Sequence, residues 1–83
     1  MIFGEVYNSI IAHKCVVEKD AIVEDSVILT GAFIEHDCYI KNAIIGDDVI
    51  IPAHTELIGN EDEILLVTMD NLDEILESLS RGD

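Results

Sequence analysis

Positive charge is nearly missing from this chain: four Lys and Arg stand against 18 Asp and Glu, for a formal net charge of −14. A field of that sign repels phosphate backbones and anionic lipid surfaces, which argues against nucleic acid or a membrane surface as a partner. Long apolar runs are also missing, none reaching the ~18–20 residues that a membrane helix needs. Met1 is followed by Glu5 and an alternating pattern rather than by a basic segment and an apolar stretch, so no signal peptide is read and a cytoplasmic location is expected. There is no Trp, one Pro and only two Cys, too few for the disulfide framework of a small secreted domain. The five glycines are dispersed, so there is no Gly-rich phosphate loop; nor is there a Walker-type lysine or a serine in a nucleophile elbow. No cofactor, bound metal or catalytic residue is therefore expected. The 83 residues leave room for one small domain.

What the chain does have is a repeat. Nine triplets, each a small residue, any residue, then an aliphatic one, run through Ser9–Leu57. They are Ser9-Ile10-Ile11, Cys15-Val16-Val17, Ala21-Ile22-Val23, Val27-Ile28-Leu29, Ala32-Phe33-Ile34, Cys38-Tyr39-Ile40, Ala43-Ile44-Ile45, Val49-Ile50-Ile51 and Thr55-Glu56-Leu57. Successive starts are six residues apart, except for five-residue steps from Val27 to Ala32 and from Cys38 to Ala43. A strand alternates its side chains, so the outer members of a triplet share one face and the middle one points the other way. A short strand and a tight corner repeated in this way predict a parallel β-helix, here of about three coils. The corners are polar, and the two short ones, Thr30-Gly31 and Lys41-Asn42, carry residues that tolerate left-handed backbone. Cys15 and Cys38 fall at inward positions on different faces, poorly placed for a disulfide.

The flanks read differently. Residues 1–8 form a short apolar lead-in, 9–59 the β-helix, and 60–83 a terminal strand and helix. Asn60–Glu63 is an acidic break, and Ile64-Leu65-Leu66-Val67 is a continuous apolar strand. Asp70 then suits a helix N-cap, Leu72, Ile75, Leu76 and Leu79 recur at helical spacing, and Gly82 suits a stop. A solenoid end exposes core and unpaired backbone, so this segment is expected to cap the last coil, with docking on a partner as the alternative.

Two sets of residues bear on function. The first is the triplet centres, which should face outward and form stripes of Ile10/Ile28/Ile44, Val16/Phe33/Ile50 and Ile22/Tyr39/Glu56. All but Glu56 are apolar or aromatic, whereas a solenoid standing alone in water should be polar there. Ile10, Ile28, Ile44, Val16, Phe33, Ile50 and Tyr39 are therefore the expected interface, toward another copy of the chain or a catalytic partner. The second set is the histidines. His13 lies on one corner, while His36 and His54 share another corner one coil apart and should stack about 5 Å from each other. Two imidazoles alone do not make a metal site, and solvated corner histidines are expected. Asp47-Asp48 lacks the alternating ligands of a calcium loop.

The phrases Asn8-Ser9-Ile10-Ile11-Ala12, Glu24-Asp25-Ser26-Val27-Ile28 and Lys41-Asn42-Ala43-Ile44-Ile45-Gly46, followed by Val49-Ile50-Ile51-Pro52, resemble the C-terminal left-handed β-helix of sugar-nucleotide pyrophosphorylases, especially glucose-1-phosphate adenylyltransferase. The resemblance covers Asn8 to Gly59. It implies the left hand of the coil, which spacing does not reveal, and a domain that packs on a separate catalytic domain and builds subunit contacts. It carries over no catalytic residue and no basic regulator site, and the stretch from Glu61 departs from it. The expected function is thus a non-catalytic oligomerisation or regulatory module of a sugar-1-phosphate nucleotidyltransferase. The alternatives are a minimal trimeric hexapeptide acyltransferase using His36 or His54 at a subunit interface, and a structural solenoid subunit.

Overall fold

The computed structural model describes residues 1–80 and shows a β-solenoid of about three coils closed at one end by a short helix. Eleven strands of two or three residues form three parallel sheets. The first sheet stacks β1 (Glu5–Tyr7), β4 (Ile22–Glu24), β7 (Tyr39–Lys41) and β10 (Glu56–Ile58). The second stacks β2 (Ile10–Ile11), β5 (Val27–Ile28), β8 (Ala43–Ile45) and β11 (Leu65–Val67). The third stacks β3 (Val16–Val17), β6 (Phe33–Ile34) and β9 (Ile50–Ile51). The lead-in is thus part of the first coil, because β1 pairs with β4 in full register.

The coil has a period of 17 residues: Glu5 pairs with Ile22, Ile22 with Tyr39 and Tyr39 with Glu56. The other two sheets keep the same interval from Ile10 through Val27 to Ile44, and from Val16 through Phe33 to Ile50. The corners obey it as well. Among the described residues, positive φ occurs in three columns: Asn8, Asp25 and Asn42; Lys14, Gly31 and Asp48; Asp20, Asp37 and His54. Left-handed backbone is what turns the chain sharply enough to restart a strand, and Asn, Asp and Gly adopt it at least cost. At Gly31 an added Cβ would lie 2.1 Å from Asp48 Oδ1, so a side chain there meets both strain and a neighbour.

This period corrects the expected register on one side. The short step runs from Ala21 to Ser26, not from Val27 to Ala32, and the inward pair there is Ser26 and Ile28. Ile28 is fully buried, so it does not belong to an outward stripe; Val27 takes that place, paired with both Ile10 and Ile44. The reason lies in the hydroxyl. Ser26 Oγ donates to the Glu24 carbonyl (2.6 Å) and accepts from Ala43 N–H (3.2 Å), which bridges two coils across the corner. Ser9 does the same one coil earlier, donating to the Tyr7 carbonyl and accepting from Ser26 N–H. A small side chain that satisfies corner backbone can thus start a strand from inside the core. Hydrophobicity alone had no means of choosing between Ser26-Val27-Ile28 and Val27-Ile28-Leu29.

The core is a stack of inward residues: Val17, Ile34 and Ile51 on one face, Val23, Ile40 and Leu57 on another, Ile28, Ile45 and Val67 on the third. Small Ala and Cys residues occupy the positions next to the corners, where the three faces converge and space is least. Both thiols are buried and free, each donating to a carbonyl: Cys15 to Leu29 and Cys38 to Pro52, at 3.0 Å.

After β10 the period lengthens, since Ala43 pairs with Leu65 rather than with residue 60. The extra residues form a small loop in which Asn60 Oδ1 accepts from the N–H groups of Asp62 and Glu63. Gly59 permits it, because a Cβ there would lie 2.4 Å from the Asn42 carbonyl oxygen. The helix α1 (Leu72–Ser80) follows β11, and its Leu72 and Ile75 pack against the core cluster. Its N-terminal flanking residue is Asn71 rather than the expected Asp70. Asn71 ties the helix to the strand before it, accepting from Thr68 N–H and donating to the Leu66 carbonyl. Asp70 is exposed in the turn between them, and Gly82 lies outside the described residues. Among the described residues no helix is long and apolar enough to cross a membrane.

Candidate functional site

Two features of the surface stand out from the regular coil. The first is a pair of uncharged outward columns on adjacent faces. On the second sheet the column is Ile10, Val27, Ile44 and Leu66; on the third it is Val16, Phe33 and Ile50. Three of the four end members are well exposed (Ile10 66%, Ile50 56%, Leu66 53%), whereas Val16 and the inner members are half-buried. In a chain with 18 acidic residues, none falls in either column. The third outward column is different, with Glu5, Ile22, Tyr39 and Glu56 in register. Tyr39 there donates its hydroxyl to Glu24 Oε2 at 2.6 Å, a bond that raises its pKa above the usual phenol value. Of the seven residues expected at an interface, six point outward and Ile28 points into the core. Val27 and Leu66 were missed; the signal that finds them is the 17-residue interval and, for Leu66, the pairing across the inserted loop.

The second feature is the corner between the third sheet and the first. Here Asp37 and His54 occupy equivalent positions in successive coils, both with left-handed backbone (φ 59° and 63°). His36 precedes Asp37, so the two histidines are diagonal neighbours rather than members of one column. Their rings meet edge to face with centroids 5.1 Å apart, close to the expected spacing. Asp37 joins them: its Oδ2 lies 2.8 Å from His36 Nδ1 and 3.7 Å from His54 Nδ1. The backbone below is held by the coil ladder, with His54 N–H donating to the His36 carbonyl and His36 N–H to Glu18 Oε1. All three side chains are exposed. Beside them runs an open groove of about 610 Å³ lined by Phe3, Glu18, Lys19 and His36. His13 stands apart, on another corner.

The hydrogen bond to Asp37 raises the His36 imidazole above its usual pKa; slight desolvation opposes this, and Glu18 and Glu35 add to it. The same bond lowers the Asp37 carboxyl. The His36 part of the pair is fully present below the ordinary imidazole value and is lost as pH rises through the raised one. The Asp37 part is present above the ordinary carboxyl value and is lost as pH falls through the lowered one. The pair is therefore strongest between about pH 4 and about pH 6.5. In an imidazole NMR titration, His36 is expected to titrate above the ordinary value. Asp37→Asn, which suits the left-handed backbone, is expected to return it toward that value. An unchanged His36 midpoint in this variant would show that the carboxylate does not hold the proton.

Comparison with known proteins bears on the first feature. Residues 1–64 match the family model described as GlmU-like, C-terminal hexapeptide. The chain is 44% identical over 54 residues to a glucose-1-phosphate adenylyltransferase of Thermodesulfovibrio yellowstonii, which covers 65% of this chain and 13% of that protein. It is 34% identical over 56 residues to the glucose-1-phosphate adenylyltransferases of two strains of Desulfitobacterium hafniense, covering 68% of this chain and 14% of theirs. The chain thus spans about one seventh of the length of these relatives. No solved structure matches it.

Proposed function

Because the chain belongs to the GlmU-like C-terminal hexapeptide family, we propose that it is a non-catalytic assembly module of a sugar-1-phosphate nucleotidyltransferase. In this reading it holds copies of itself together, or seats the nucleotidyltransferase domain, through the second and third faces of the solenoid. The observation that carries it is the pair of continuous outward columns from which charge is excluded. A solvated face in so acidic a chain would bear its share of carboxylates, whereas contiguous exposed apolar surface marks contact with another protein. Rigid, closely spaced coils present such a surface without a large ordering cost on binding. That the similar proteins are glucose-1-phosphate adenylyltransferases supports the choice of enzyme class.

Sedimentation velocity on the purified chain tests the reading. Wild type is expected to self-associate, and Ile50→Asp, at the exposed end of an uncharged column, is expected to weaken that association by more than about tenfold, because it places a charge on a face that the assembly would bury. Circular dichroism should be unchanged, since the side chain points away from the core. If wild type were monomeric, and neither it nor the variant co-sedimented with a nucleotidyltransferase domain, the assembly role would be lost.

A further inference from the structure

We infer that the corner formed by His36, Asp37 and His54 is a binding site for one divalent transition-metal ion, zinc being the best match, held by two imidazole nitrogens and one carboxylate oxygen. This site is separate from the apolar columns and does not depend on the assembly reading.

The geometry carries the inference. One donor atom from each of the three residues lies within 4.8 Å of the other two. Around a tetrahedral ion with bonds of about 2.0–2.2 Å, ligand atoms sit about 3.3–3.5 Å apart. The distances from Asp37 Oδ2 to the two Nδ1 atoms, 2.8 and 3.7 Å, fall on either side of that value. Small rotations of three exposed side chains close the difference, while the backbone carrying them is fixed by the ladder between the coils. An ion there replaces a histidine–carboxylate hydrogen bond with three coordinate bonds and leaves its remaining position to water.

The donor set also selects the ion. Two imidazoles suit zinc, nickel and copper, whereas magnesium and calcium require an oxygen shell. The nearby acids act at a distance: Glu18 Oε1 accepts from His36 N–H and Glu35 Oε1 from Ala53 N–H, so both carboxylates are engaged by backbone. Their charge, within a chain of net charge −14, still favours a cation at this corner. The Cys38 thiol is close in sequence but buried; it donates to the Pro52 carbonyl, and burial pushes its pKa up, so it supplies no ligand.

The test is calorimetric titration of the untagged chain with zinc chloride, alongside imidazole NMR spectra. One ion per chain is expected, with the His36 and His54 signals shifting together while His13 stays in place and magnesium has no effect. His36→Ala and His54→Asn, the second chosen to suit the left-handed backbone, should each weaken zinc binding by more than about tenfold. His13→Ala should not change it. Cobalt in place of zinc should give no thiolate charge-transfer band. Zinc affinity that survives in the double variant His36→Ala/His54→Asn would overturn the site, as would imidazole signals unmoved by zinc or a thiolate band with cobalt. Circular dichroism of each variant separates lost binding from lost fold.

Discussion

Ile28→Asp is expected to unfold the chain, while Val27→Asp, one residue away, should leave it folded. Ile28 is completely buried between Ile11 and Ile45 in the stack of the second sheet, where its neighbours in the column are apolar. An unpaired charge in such a place costs more than about 4 kcal/mol, beyond the ordinary range for single substitutions. That is much of the roughly 5–15 kcal/mol by which domains are stable, and a chain this small lies toward the low end. Val27 is the outward neighbour, so its carboxylate would reach water. The comparison is read by circular dichroism and by urea denaturation of both variants. The opposite order of stability would restore Ile28 as an outward residue and break the 17-residue register.

Ile40→Ala should cost about 2–5 kcal/mol, the transfer free energy of the lost atoms plus the cavity they leave. Ile40 lies in the middle coil, with Val23 below it and Leu57 above it in the same inward column. The ladder fixes the distance between coils, so neighbours have little freedom to close the gap, and the upper part of that range is expected. The melting temperature should fall by at least about 8 °C for a domain of this size. Ile58→Ala removes the same atoms from a side chain that is 53% exposed, and should stay within about 0.5 kcal/mol of wild type. Equal losses at the two positions would mean that the column through Ile40 is not a packed core.

Much of this architecture is legible in the amino-acid sequence. Alternation within a triplet assigns inside and outside, and eight of the nine triplets are oriented as that rule requires. The exception arose because Val27-Ile28-Leu29 is apolar throughout, leaving nothing in the pattern to separate its faces. The structure resolves it through Ser26, whose hydroxyl can enter the core only because the Glu24 carbonyl and Ala43 N–H await it. The helix was readable from its spacing, but not the residue that precedes it: Asn71 takes that place through bonds to Thr68 and Leu66, which depend on where β11 ends. At the His36 corner, the approach of the two imidazoles followed from coil spacing. The part played by Asp37 did not, because it requires knowing that Asp37 and His54 stand at equivalent points of successive turns.

By itself, then, the sequence determined that this chain is a solenoid of short strands and polar corners, with apolar residues on faces that ordinarily meet water. It could do so because both properties rest on local alternation, which every few residues repeat. Which residues become neighbours was decided by the tertiary structure. A 17-residue turn brings together side chains far apart along the chain, and a shift of one residue at a single corner exchanges an outward residue for a core residue. That period is set by backbone turns and hydrogen bonds between coils. It therefore emerges only when the coils are stacked.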